Sequence, residues 1–127
     1  MSITRLPGAR IATRTILVVE DDAEVREVCA KVLTDEGYVV HAAPDGVSAI
    51  AQLDCMPDVI VLDLVMPRMD GWEFMRRLRA VAGHEHTPVL LLTATASSGA
   101  ALAGAQAVLR KPFVVEALLR QVADLSP

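Results

Sequence analysis

VIVLDLVMPRMDGWEF, residues 59–74, decides the fold. Val59 to Leu62 is apolar at every position, the pattern of a strand covered on both faces, and the run stops at a single carboxylate, Asp63. A turn containing Pro67 and Asp70-Gly71 follows, after which WEFMRRLRAV takes up helical periodicity. A strand buried on both sides needs paired neighbours and covering helices. The same strand-then-helix unit should therefore recur.

It recurs in both directions. Upstream, ILVV (16–19) is stopped by Glu20-Asp21-Asp22, and Val25, Val28, Cys29, Val32 and Leu33 then repeat at helical spacing until Gly37. YVVHAA (38–43) reads as a strand and VSAIAQL (47–53) as a helix. Downstream, PVLLL (88–92) is a second fully apolar strand, and a small-residue segment, SSGAALAGA (97–105), precedes the strand QAVL (106–109). Pro112 is placed to open a last helix whose Val114, Leu118, Val122 and Leu125 form one stripe. Five alternations predict a doubly wound α/β domain: a five-stranded parallel sheet, flavodoxin-like, with helices on both faces. Gly99 and Gly104 make the fourth helix short or irregular. Residues 1–14, with Pro7, Gly8 and three arginines, read as a flexible N-terminal arm, and residues 15–127 as one domain with no output domain attached.

Composition narrows the function classes. Hydrophobic residues are 53% of the 127 and aromatics only 3%, so the core is aliphatic and intrinsic disorder is excluded. Twelve basic against sixteen acidic residues give a net charge of -4, which argues against direct nucleic-acid binding through phosphate contacts. Cys29 and Cys55 form no CxxC pair, and the N-terminal stretch has no apolar core of a secretory signal, so a cytoplasmic location is expected. The uncharged stretch from Thr87 to Leu109 turns into Thr, Ser, Gly, Ala and Gln after Leu92, too weakly apolar for a membrane span.

In doubly wound folds, polar residues just beyond the strands' carboxyl ends gather where strand order reverses. Here these are Glu20 and Asp21 after strand one, Asp63 after strand three, Thr93 after strand four and Lys111 after strand five. Three clustered carboxylates repel and raise one another's pKa unless a cation sits among them or Lys111 lies close. An all-oxygen donor set selects a hard cation, with Mg2+ the natural candidate.

With those residues in view, ILVVEDD, VIVLDLVMPRMDGWEF, LLLTA and LRKPF, in that order, resemble the receiver domain of bacterial two-component response regulators, in its single-domain form. The resemblance covers Thr15 to about Leu125. It implies Asp63 as phosphoacceptor, Thr93 and Lys111 as its catalytic companions, and Glu20, Asp21, Asp63 and the backbone carbonyl of Val65 as Mg2+ ligands. It further implies a partner sensor histidine kinase or histidine phosphotransfer protein as phosphoryl donor, and a cis bond before Pro112. The downstream partner, or a homodimer, would use the fourth helix and fifth strand, about residues 96–109. Asp22 reads as the cap of the first helix. Two features depart from the family pattern. Val108 stands where an aromatic switch residue is usual, and Thr93 and Lys111 are only 18 positions apart (111 minus 93).

Other residues take plainer roles. Cys29 reads as a core residue, His84 and His86 as a solvated loop, and Trp72 and Phe74 as core packing. Gly37, Gly46 and Gly71 serve turns and helix ends, and without GxGxxG or GxxxxGK no nucleotide site is expected. Two other functions compete: a phosphohydrolase of the haloacid-dehalogenase type, which needs an Asp where Val65 stands, and a pseudo-receiver that binds partners without phosphorylation.

Overall fold

In a computed structural model, which describes residues 13–66, 68–94 and 104–126, five parallel strands form one sheet in the order β2-β1-β3-β4-β5. They are β1 (Thr15–Val19), β2 (Val39–Ala43), β3 (Val59–Asp63), β4 (Val89–Thr93) and β5 (Ala107–Arg110). The helices are α1 (Ala23–Asp35), α2 (Gly46–Ala51), α3 (Gly71–Arg79) and α4 (Val115–Leu125), with a single 3-10 turn, Leu53–Cys55, after α2. The short fourth helix expected between β4 and β5, and residues 1–12 of the expected arm, lie outside the described residues. Arg14, the last residue of that arm, is joined to the sheet edge: its carbonyl accepts from Val39 N at 3.0 Å.

The apolar runs explain the layers. Alternate residues of a strand face opposite sides, so β1, β3 and β4 feed two cores. Leu17, Val19, Ile60, Leu62 and Leu91 pack on the side of Phe74 and Leu78 from α3. Ile16, Val18, Val61, Leu90 and Leu92 pack on the other, against Cys29 and Leu33 of α1 and Leu118 and Val122 of α4. Truncating a fully buried leucine such as Leu118 to Ala costs about 2–5 kcal/mol in such a core.

Strand order reverses at β1, which is flanked by β2 and β3. Val19 lies opposite Leu62, Asp63 opposite Leu92, and Thr93 opposite Arg110. The residues following β1 therefore emerge beside Asp63, at the carboxyl edge where the chain can form a crevice.

Four expectations change. Pro112 does not open the last helix: Lys111-Pro112 is cis as expected, Phe113 packs into the α1-side core, and the helix starts at Val115. Val114 is its cap residue and is exposed, as is Val28 of α1, so both apolar stripes are narrower than their spacing suggests. Trp72 is 41% exposed, while Phe74 is fully buried. His84 is buried rather than solvated, with Nδ1 at 2.8 Å from Thr87 Oγ1; His86 is exposed.

Candidate functional site

The chain leaves β1 into Glu20, whose amide donates to Ala43 O at 3.1 Å and continues the ladder one residue past the strand. This pins Glu20 in the sheet, and its side chain is fully buried. Asp21 is exposed, and Asp22 turns the chain into α1: its Oδ1 accepts from Glu24 N at 2.9 Å and Val25 N at 3.2 Å, the capping role expected of it. Arg26, one turn into α1, donates to the carbonyl of Glu20 at 2.9 Å and so braces the acidic pair from behind.

Glu20, Asp21 and Asp63 each offer a carboxylate oxygen, and the three oxygens lie within 4.8 Å of one another. Lys111 faces them, with Nζ 2.8 Å from Glu20 Oε1 and 3.5 Å from Asp63 Oδ1. Its own amide donates to Thr93 O at 2.7 Å, which places Thr93, buried at the end of β4, beside the same crevice. Glu20, Asp21, Asp63, Thr93 and Lys111, drawn from four strand ends, thus come together. Val65 follows Asp63 on the loop, its amide reaching Asp63 Oδ1 at 3.4 Å and its side chain exposed.

The electrostatics follow from this crowding. Burial, and after it the charge of Glu20, push the Asp63 carboxyl up to about 7. Burial pulls the Lys111 ammonium down, but its contacts with Glu20 and Asp63 outweigh that and hold it above the usual lysine range. One ammonium against three carboxylates leaves the pocket with excess negative charge. Glu20 Oε1 is buried and faces the crevice, where the Lys111 ammonium at 2.8 Å is its one charged partner among the described residues. A hard divalent cation fits that donor set: clustered carboxylate oxygens whose negative charge one ammonium does not balance.

The profile of the response regulator receiver domain family matches residues 16–123. The chain belongs to that family. Among curated relatives, response regulator MprA of Mycobacterium ulcerans is 43% identical over 115 residues, which is 87% of this chain and 49% of that protein. The chain therefore spans about half the length of the curated relatives it matches. Among solved structures, the chemotaxis protein CheY4 of Vibrio cholerae superposes with a TM-score of 0.86 at 34% identity, covering 90% of this chain and 99% of that one. The receiver domain of Francisella response regulator 1452 gives 0.79 at 30% identity, covering 90% and 97%. This receiver domain has the phosphoacceptor role of two-component signalling, and its five-stranded parallel sheet is the family's fold. No helix among the described residues is long and apolar enough to cross a membrane.

Val108, at the usual aromatic switch position, is half-buried and packed against the α3-side core. It has no ring to expose. Two residues beside the loop that follows Asp63 were not singled out in the sequence: Asp45, the buried cap of α2, and Arg68, which pairs with it. An Asp-Gly step before a helical run was the available signal for Asp45. No local pattern marks Arg68.

Proposed function

We propose that Asp63 is the phosphoacceptor of this receiver domain, that Glu20, Asp21, Asp63 and the Val65 carbonyl hold a Mg2+ ion, and that Thr93 and Lys111 complete the site. The observation that carries this is the convergence of three carboxylates within 4.8 Å with Lys111 on one crevice. An Asp63 oxygen attacks the phosphorus of a phosphohistidine on a sensor kinase or phosphotransfer protein; the new O–P bond forms as the N–P bond breaks, and the histidine leaves. When bound, Mg2+ supplies charge neutralisation for the equatorial phosphoryl oxygens. Lys111 adds a second positive charge on the same side, and the Thr93 hydroxyl offers a hydrogen bond to the transferred group. Glu20 and Asp21 orient the cation and take no proton.

Under this reading the chain is not a classical enzyme: it promotes its own phosphorylation and dephosphorylation and turns over no separate substrate. Its output is a changed affinity for a protein partner or a second copy, with no direct contact to nucleic acid. The surface proposed for that output, residues 96–109, lies outside the described residues up to 103. Incubation with acetyl phosphate and Mg2+, followed by intact-mass measurement, separates the three functions. A single phosphoryl adduct supports the acceptor, steady release of phosphate from esters the phosphohydrolase, and no change the pseudo-receiver.

A further inference from the structure

Leu64–Met66 and Arg68–Asp70 lie between Asp63 and α3, and two backbone hydrogen bonds and two tight contacts hold them. Leu64 N donates to Leu92 O at 3.0 Å and Gly71 N to Leu64 O at 2.8 Å, which closes the loop on itself. A Cβ on Gly71 would meet Leu64 Cα at 2.9 Å, and one on Gly46 of α2 would meet Met69 Sδ at 2.8 Å, so the loop is seated directly on the first turn of α2. Between these fixed points Arg68 adopts φ 70, a left-handed conformation that a residue with a side chain rarely takes without compensation.

The compensation is visible. The Arg68 guanidinium pairs with Asp45 Oδ2, while Asp45 Oδ1 accepts from Ser48 N at 2.8 Å as the cap of α2. The Asp45 side chain is 5% exposed and Arg68 69%, so this is no ordinary surface pair: without Arg68 the outer oxygen of a buried carboxylate would lose its charged partner. The backbone hydrogen bond from Ser48 outweighs burial and, with the Ser48 side chain and then Arg68, keeps the Asp45 carboxyl below its usual range.

We propose that Arg68 is a positioning residue for the acidic crevice: its pair with the Asp45 cap holds the 64–70 loop, and so the Val65 carbonyl, where a cation bound by Glu20, Asp21 and Asp63 requires it. This inference rests on the cation site proposed above. Among the described residues Arg68 forms an ion pair with Asp45 and with none of Glu20, Asp21 and Asp63. It acts through the backbone three residues away, as outer-sphere partners of metal ligands do.

Isothermal titration of Mg2+ into the unphosphorylated protein, with amide hydrogen exchange on the same samples, tests it. Arg68→Ala and Asp45→Asn should each weaken Mg2+ binding by about tenfold. The Asn retains a capping oxygen, so α2 persists. Exchange at Val65 and Gly71 should quicken in both variants, and combining them should add little, because both remove the same pair. Arg68→Lys, which keeps a cation within reach of Asp45, should recover most of the affinity. A lowered melting temperature with unchanged Mg2+ affinity would reduce Arg68 to a structural brace and overturn the inference, as would fully additive losses. If the unsubstituted protein binds no Mg2+, the reading of the crevice fails and the inference with it; normal binding there, unmoved by Arg68→Ala, refutes the inference alone.

Discussion

Asp63 is held in a state that a free aspartate never meets. Its carboxyl rises to about 7 because burial and, after it, Glu20 disfavour its charge, whereas in the unfolded chain it returns to the ordinary value of 3.8. Between about pH 4 and 7 the folded protein therefore keeps a proton that the unfolded chain has lost. Stability from this group falls as pH rises through that window, and the penalty is complete above 7. The expected outcome, without divalent cation, is a decline in denaturation midpoint from pH 5 to pH 8 that Asp63→Asn flattens. Added Mg2+ should raise the midpoint more at pH 8 than at pH 5, because ligand carboxylates must be ionised. A pH profile identical in the Asn variant would contradict the assignment of the shift. At the same scale, Cys29 is buried with its thiol pushed up to about 11, first by burial and then by Glu20, while Cys55 is only half-buried. Mass mapping of limited alkylation at mildly alkaline pH should find Cys55 modified well before Cys29.

At the level of elements, the junction between the loop that follows Asp63 and α3 is the least forgiving point. Gly71→Ala would drive a Cβ to 2.9 Å from the Leu64 backbone, where no flexible side chain can yield. Overpacking of this kind costs about 1–3 kcal/mol, and chemical denaturation should show it, with Gly83→Ala in an open loop as the contrast in contact, since its φ of +91 leaves only backbone strain. The sheet was legible in the sequence because the first four residues of β3 and of β4 are all apolar, and only burial on both faces demands that. The helix edges were less so. Val114 fits a helical stripe by spacing and Pro112 is placed to open it, yet the chain first packs Phe113 inward, a tertiary preference that periodicity cannot report. Trp72 misled by its size. Phe74, Met75 and Leu78 define the buried side of α3, and Trp72 stands about 110° around the helix from its centre.

For the whole molecule, four strand ends deliver five side chains to one crevice, and strand order explains why. Reversal at β1 sets Glu20 and Asp63 side by side, while the parallel register carries Thr93 and Lys111 to the same edge. These positions were readable because each lies within two residues of the end of an apolar run. Asp45 and Arg68 were not, because the link between them spans 23 residues and exists only once α2 and the loop are packed together. His84 likewise looked like a loop charge, but Arg79 at the end of α3 donates to the carbonyls of His84 and Thr87 at 3.1 and 2.8 Å and gathers that loop inward.

The central claim is that the phosphoryl group goes to Asp63. After reaction with acetyl phosphate and Mg2+, borohydride reduction converts an aspartyl phosphate to homoserine, and tandem mass spectrometry locates the converted residue. Homoserine at position 63, absent from Asp63→Asn, is the predicted result; homoserine at Asp21 or elsewhere, or an undiminished adduct in the Asn variant, would contradict it.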